Sequence, residues 1–527
     1  MQTLRLLWRK EPRLWTFLDL TTMSLSLEEL KRCTELLEAV AQDPLLLMSV
    51  SEEERLALIV AAGRVSRPGR LETRKRDKAL RRVRREEKRS LDREARASTE
   101  IRSTRQAPVF VAPKQLSTQA PPKTLQRPRY CYVCKDEYRE LHFFYDSMCI
   151  PCAELNYEKR FQTACLKGRV AVITGARLKI GYQSALMMLR AGARVVATTR
   201  FPHDAAQRFS REPDFAEWGE RLRVHGLDLR HSPSVEIFAR YLSHTYERLD
   251  ILINNAAQTV RRPPGFYTHL LELESKRHEE LPEPMRALLG DFEQCKAALG
   301  APVAASDSGK WLSDWQGSAK ARAGIGLLAP AALSQIPYNY DDAVAANEVF
   351  PVGKTDADLQ QVDLRDVNSW RLTLADVPAP EMLEVQLVNA VAPFILCSQL
   401  KPLMMRDQTG DKHIVNVSAM EGIFSRRTKT DKHPHTNMAK AALNMMTFTS
   451  APDYAKSGIF MNAVDTGWVT DEDPAAHVVR KQAEHDFQPP LDIVDGAARV
   501  CDPFFSGLLT GTHVWGKFLK DYAPADW

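Results

Sequence analysis

VAVITGARLKIG, residues 170–181, is the stretch on which the fold turns. Residues 170–173 are an apolar run of strand length, Thr174 and Gly175 break it, and an apolar helix (YQSALMMLRAGA) comes after Gly181. A strand, a glycine-containing turn and a helix make a pyrophosphate site. Glycine lets the backbone approach the phosphates, and the helix N-terminus attracts negative charge. A second strand, 194–199, ends in Arg200. Arg177 and Arg200 are placed to receive a ribose 2′-phosphate where an acidic residue would favour NAD, so NADP(H) is expected over NAD. The plainer reading is two surface arginines.

The order of the motifs downstream of the turn carries more than the turn alone. LDL (227–229) ends a third strand and LDILINNAA (249–257) contains a fourth. VNAVAPFIL (388–396), HIVNVSAMEG (413–422), NMAKAALN (437–444) and GIFMNAVDTGWVT (458–470) come next. In this order the motifs resemble the short-chain dehydrogenase/reductase family, over about 168–257 and 366–520. The resemblance implies an α/β fold, a Rossmann-like doubly wound parallel sheet over 166–527, and an oxidoreductase acting on a carbonyl, alcohol or enone. It also implies roles. Thr174, Gly175, Ile180 and Gly181 match the cofactor turn, and Asp228 the carboxylate near the adenine. Asn255 and Ala256 match the lining of the adenosine ribose, while Asn254 braces the sheet. Asn389 matches the asparagine that holds a proton-relay water. Lys440 matches the lysine that binds the nicotinamide ribose, and Gly467 and Trp468 the loop beside the nicotinamide.

The departures matter as much. Lys179 stands where the family has its middle glycine, and Thr466 replaces a proline. Of the family's serine pair, Ser418 matches the first member and Ala419 the second, which is normally catalytic. Thr436, four residues before Lys440, replaces the tyrosine. A threonine hydroxyl ionises far above the roughly 10 of tyrosine and is a poor proton donor. His433 and His435 lie just upstream, and histidine performs acid–base work at neutral pH. His433 sits seven residues before Lys440, a spacing that some divergent enoyl-reductase relatives use for their tyrosine. The plainer reading of both is an exposed polar loop, KTDKHPH.

Asn255 and Asn389 are 134 residues apart, where the family usually has a few dozen. An insertion over about 260–365 therefore leaves from the cofactor side of the sheet, as a substrate lid, a partner-docking arm or a disordered loop. Its position favours the first two.

Upstream, CYVC (Cys131, Cys134) and CIPC (Cys149, Cys152) enclose 14 residues. Two such knuckles supply four thiolates to one tetrahedral Zn²⁺, and a closed shell makes the metal structural. His142 is a spare ligand, and Phe143, Phe144 and Tyr145 can fill the small core of a module over 130–160. The other five cysteines are scattered, which fits a reducing compartment, not a disulfide framework.

Residues 24–105 read as a helical region. Ser26 with Glu29 and Ser51 with Glu54 fit capping boxes, and Pro44 separates two amphipathic helices. Between Arg64 and Arg105 there are 17 Lys/Arg against 7 Asp/Glu. This basic helix could grip a polyanion, but it carries no aromatic residue for base stacking. The expectation is a solvated helix with internal pairs such as Arg82 with Glu86, and nucleic acid is disfavoured. Residues 106–129, rich in Pro, Gln and Thr, read as an extended linker. Residues 1–23 lack a secretory h-region, and Met23 is a plausible start. A cytoplasmic location is expected, with a mitochondrial transit peptide the alternative, and no 18-residue apolar run implies a membrane span.

Three functions remain: an NADP(H)-dependent oxidoreductase with a rebuilt proton relay, an inactive relative that binds cofactor as a structural, sensing or interaction protein, and a nucleic-acid-associated protein. The small-molecule substrate is not named by the sequence. Relatives of this fold are often dimers or tetramers, which makes a homo-oligomer an expectation of the resemblance. The insertion and the zinc module are candidate surfaces for a protein partner.

Overall fold

The computed structural model describes residues 26–115, 122–300, 322–337, 346–426 and 428–527. The readings for residues 1–23 lie outside these. The chain forms two units, Met1–Glu87 and Lys88–Trp527.

In the first unit, α1 (Leu27–Gln42) and α2 (Glu52–Ser66) each start with a complete capping box, at Ser26/Glu29 and Ser51/Glu54. These reciprocal bonds satisfy N–H groups that a helix start leaves orphaned. Pro44 opens a 3-10 turn between them. The expected apolar face is not buried: Leu27, Leu30 and Leu36 are 70%, 49% and 61% exposed. Helix α3 (Arg70–Ala97) carries the Arg82–Glu86 pair at 3.0 Å, and such exposed pairs contribute little.

The second unit uses the end of the basic run structurally, against the expectation of a solvated helix. Arg96 and Arg102 are buried, and Arg102 pairs with Asp146 at 2.5 Å. Helix α4 (Glu100–Thr104) docks on the cysteine module: the N–H groups of Glu100 and Ile101 donate to the carbonyls of Phe143 and Phe144. The linker reading also needs correction. Lys123–Tyr130 forms strand β1, antiparallel to β2 (Glu137–Leu141). Its pairing partner lies beyond the first knuckle, so no local pattern announces it. Pro128 falls where the register shifts, the place in a strand that tolerates a residue with no N–H. Helix α5 (Ile150–Arg160) closes the module.

An eight-stranded sheet comes next, built from β3 (Val170–Thr174), β4 (Arg194–Thr199), β5 (Leu222–Gly226), β6 (Ile251–Asn254), β7 (Lys412–Ser418), β8 (Ile459–Asp465), β9 (Phe518–Lys520) and β10 (Ala523–Ala525). The order is β10-β9-β8-β7-β6-β3-β4-β5, all parallel except β10 against β9. Every residue of β3 is buried, because helices cover both faces of a parallel sheet. Helix α6 (Lys179–Arg190) packs on one face, succeeded in the chain by α7 (Pro202–Ser210). On the other lies α8 (Ser232–Thr245). Each fully buried Leu, Val or Phe in these layers contributes about 1.5–3 kcal/mol. The chain reverses direction across the sheet between β3 and β6. Crevices at such switch points, beyond the strand C-termini, are where ligands bind.

The insertion leaves after β6, as expected. Its helix α9 (Glu283–Gly300) packs beside β5, and a Cβ on Gly226 would meet Phe292 at 2.6 Å and Pro330 at 2.7 Å. Residues 301–321 and 338–345 of the insertion lie outside the described residues. Helix α10 (Ala379–Met404) contains a π-turn at Leu387–Val391. It is long and apolar enough to cross a membrane, with mean hydropathy 1.4, but half of that window is buried in the fold. Helices α11 (Pro434–Ala455), α12 (Ala475–His485) and α13 (Ile493–Thr510) complete the unit.

Candidate active site

A cavity of about 930 Å³ runs along the strand C-termini from the β3–α6 turn to the loop after β8. Gly175 adopts φ +68°, and a Cβ there would meet the Ala256 Cα at 2.9 Å. At Gly181 a Cβ would fall 2.3 Å from the Gly175 carbonyl oxygen and 2.4 Å from Asn255 Nδ2. Asn255 Nδ2 donates to the carbonyls of Thr174 and Gly175, and the Ala256 N–H donates to Thr174 Oγ1 at 3.0 Å. Thr174, Asn255 and Ala256 thus brace the turn, and Ile180 lines the cavity beside it. Gly181→Ala is expected to break this brace and to abolish nucleotide binding. Calorimetry with NADPH checks it, and unchanged affinity would refute the cradle.

Lys179 has φ +52°, the left-handed conformation that favours glycine. A lysine there costs on the order of 1 kcal/mol. Lys179→Gly is therefore expected to raise the unfolding temperature. It should also weaken NADPH binding if the ammonium meets the pyrophosphate. Thermal unfolding and a binding titration on one preparation separate the two effects.

At the adenosine end Arg177 and Asp228 both line the cavity, and each is already engaged within the protein. Arg177 is buried and paired with Asp204 at 2.8 Å, and Asp204 also holds Arg208. Its charge is therefore matched within the protein. Asp228 accepts from Arg230 Nε and Nη2, and Arg230 also pairs with Glu384 of α10, so the carboxylate reaches the cavity already ion-paired. Arg200 keeps its place on the cavity wall. It donates to Tyr267 Oη at 2.7 Å, stacks over that ring, and pairs with no carboxylate among the described residues. Tyr267 and Arg262 bring the insertion to the cavity.

At the other end, Lys440 is buried and donates to the Val417 carbonyl at 2.7 Å. Burial pushes its ammonium down to about 8. Thr436 lines the cavity with a buried hydroxyl that has no hydrogen-bond partner among the described residues. Ser418 donates to Asn444 Oδ1 at 2.5 Å and is spent on α11. Asn389 sits in the π-turn and clamps the Gln258 backbone, accepting its N–H at 2.7 Å, so it is set back from the cavity wall. Asn254 braces β6 to β7 by donating to Asn416 Oδ1 at 2.8 Å.

The histidines separate. His433 lines the cavity, stacked on Trp370 at 3.8 Å, and burial pushes its imidazole down to about 4. It is neutral near pH 7. His435 does not line the cavity: it is buried with Nε2 3.3 Å from Glu381 Oε1, which corrects its assignment to the catalytic group. Neither is the exposed loop residue of the plainer reading.

The four sulfurs of Cys131, Cys134, Cys149 and Cys152 lie within 4.8 Å of one another, with Cys134 and Cys149 Sγ 3.6 Å apart. Zinc–sulfur bonds of about 2.3 Å in a tetrahedron fit that spacing. His142 is not a ligand here: its Nδ1 accepts the N–H groups of Phe144 and Tyr145. Phe144 and Tyr145 are fully buried in the module core, and Val469, Leu491 and Ile493 from beyond β8 share that core.

Residues that the motif reading passed over also line the cavity. Tyr132, between the cysteines of the first knuckle, accepts the Trp468 N–H at 2.9 Å. It lies against Gly467, where φ is +76° and a Cβ would fall 3.1 Å from the Tyr132 hydroxyl. Asp465, two residues before Gly467, is buried on the same wall. Only knowledge that the knuckle docks on the β8 loop would have linked Tyr132 to the site; Asp465 was visible as a carboxylate inside a cofactor motif.

Comparison with known proteins bears on this geometry. A short chain dehydrogenase family model matches residues 169–274, and an enoyl-(acyl carrier protein) reductase model matches 368–488. The gap between them falls largely on the insertion. An uncharacterized protein of Acanthamoeba polyphaga mimivirus is 28% identical over 409 residues, 76% of this chain and 75% of its own length. Retinol dehydrogenase 13 of Mus musculus is 33% identical over 105 residues, 20% of this chain and only 30% of its own. A solved short chain dehydrogenase from Burkholderia cenocepacia in complex with NADP aligns at 16% identity and TM-score 0.40, over 67% of this chain and 96% of that one.

Proposed function

This chain belongs to the short-chain dehydrogenase/reductase family, and from that premise we propose that it is an NADP(H)-dependent oxidoreductase acting on a carbonyl, alcohol or enone, with its proton-handling groups rebuilt. The observation that carries the reading is the single cavity joining a glycine cradle at a helix N-terminus to a buried lysine and the Gly467 loop. Gly175, Gly181 and the N-terminus of α6 would hold the pyrophosphate, and Lys440 the nicotinamide ribose. Bound NADP(H) supplies or accepts hydride; the protein supplies position and a proton. The four cysteines would hold a structural zinc.

Arg200 supports NADP(H) over NAD(H), as a cation left for the 2′-phosphate. Arg200→Ala is expected to weaken NADPH binding about 10- to 100-fold, the value of one charge-assisted hydrogen bond, with NADH unaffected. Equal losses for both nucleotides would remove Arg200 from that role.

A second reading, a cofactor-binding protein without catalysis, is favoured by Ala419, Thr436 and the diversion of Ser418 to Asn444. The deciding experiment tracks NADPH absorbance against a panel of aldehydes, ketones and enones, with Lys440→Met alongside. Turnover that this variant loses supports the oxidoreductase. Tight NADPH binding with no turnover on any member supports the second reading.

A further inference from the structure

The proton donor is the part of this site that the family pattern leaves empty, and the buried carboxylate of Asp465 lines the cavity one strand over from Ser418. Strands β7 and β8 pair in parallel with Ser418 opposite Asp465. Residues opposite each other in register share a face of the sheet. Ser418 bonds to Asn444 of α11, so that face is the one carrying Lys440. Asp465 therefore stands one strand over from Ser418, at the strand C-terminus, on the wall of the cavity.

Several charged or polar groups face Asp465. Lys440 comes from α11, Glu421 from the segment after β7, Lys520 and Asp521 from the end of β9, Tyr132 from the cysteine module, and the Gly467 N–H from its own loop. Most are committed elsewhere. Glu421 pairs with Arg426, Asp521 with Arg499 and Lys520, and Lys440 donates to Val417. No cation lies within ion-pair distance of Asp465 among the described residues. Burial pushes its carboxyl up to about 6, with Lys520 opposing. A carboxyl that is part protonated near neutral pH suits an acid that must also be recharged. The alternatives are weaker: the Thr436 hydroxyl ionises too high, and His433 is neutral and stacked on Trp370.

We propose that Asp465 is the proton-exchanging group of this site, giving a proton to the oxygen of a carbonyl substrate in reduction and taking it from the alcohol in oxidation. The inference rests on the reading of the cavity as a dinucleotide site. In reduction, a bound NADPH would supply the hydride for the new C–H bond at the carbonyl carbon. The C=O π bond breaks, and its electron pair takes the proton as the Asp465 O–H bond breaks. The resulting carboxylate takes its proton back from bulk solvent.

The test needs no substrate, because the oxidised nicotinamide ring is cationic and the reduced ring is neutral. An ionised Asp465 beside the ring favours NADP⁺. Affinity for NADP⁺ relative to NADPH is then expected to rise roughly tenfold from pH 5 to pH 7.5, through the Asp465 titration, and to level off above it. Titration of the 2′-phosphate acts on both nucleotides and cancels in the ratio. Asp465→Asn should flatten the ratio, whereas Glu421→Gln, which removes a neighbouring negative charge, should keep the rise and move it to lower pH. Calorimetry of the wild type in two buffers near pH 6 should find more protons released by NADP⁺ than by NADPH. A ratio independent of pH, equal proton release, or a pH dependence that survives Asp465→Asn and disappears in Glu421→Gln would overturn the proposal. Binding of neither nucleotide at any pH would instead defeat the dinucleotide reading on which it rests.

Discussion

Cys149→Ser is expected to cost this protein both stability and nucleotide affinity. Four thiolates within 4.8 Å of one another form a site whose metal binding is folding energy, about 10–16 kcal/mol in isolated zinc-finger peptides at neutral pH. A larger domain retains its own core, so part of that loss, on the order of several kcal/mol, should appear as a lower unfolding temperature. The effect on nucleotide affinity comes from packing. The module shares its core with Val469, Leu491 and Ile493, and Tyr132 accepts the Trp468 N–H. Releasing the knuckle frees the loop that would lie beside the nicotinamide. Elemental analysis should find one zinc per chain. A strong chelator should reproduce the loss of NADPH affinity, and added zinc should restore it. Full affinity in Cys149→Ser would show that the module and the site are independent.

Arg160→Met should destabilise about as strongly, by roughly 3–5 kcal/mol, because it strands buried carboxylates. Arg160 is fully buried and bonds to Asp492 Oδ1 at 2.7 Å, Asp492 Oδ2 at 3.0 Å and Asp495 Oδ1 at 2.8 Å. Asp492 caps α13, and Tyr145 donates to Asp495 at 2.5 Å. The cluster thus ties α5 of the cysteine module to the sheet domain. Burial already holds the Asp495 carboxyl above its usual range. Without Arg160, the folded-state pKa of this carboxyl should lie still further above its unfolded value. A group raised in this way stabilises below the unfolded pKa and loses that contribution as pH rises. The deficit of Arg160→Met should therefore be largest near neutral pH and shrink toward pH 4. Denaturant unfolding at both values checks it. A deficit independent of pH, or below 1 kcal/mol, would mean that water reaches the cluster.

What could be read from the residues was what is local. Strands buried on both faces appear as short apolar runs, and the two capping boxes and the paired CxxC knuckles depend on spacings of a few residues. What could not be read was settled by partners far along the chain. Arg177 looked free for a phosphate until Asp204 came beside it. The Asp228 carboxylate is taken by Arg230, two residues on, which no motif marks. Residues 123–130 looked like linker because their pairing strand lies past the first knuckle. Tyr132 carries no signal of its own in the sequence, since docking of the module on the β8 loop is a tertiary fact. Asp465 lies inside the GIFMNAVDTGWVT motif, but its place on the cavity wall follows from the pairing of β8 with β7, which is not local in the chain.

The central claim is that the cavity is a working nicotinamide dinucleotide site despite Lys179, Thr466 and the missing tyrosine. Titrating the zinc-loaded protein with NADPH and NADH, and monitoring nicotinamide fluorescence, tests it most directly. Saturable binding of NADPH at one site per chain, with NADH clearly weaker, is the predicted result. No fluorescence change with either nucleotide would contradict the account and leave the fold without its cofactor.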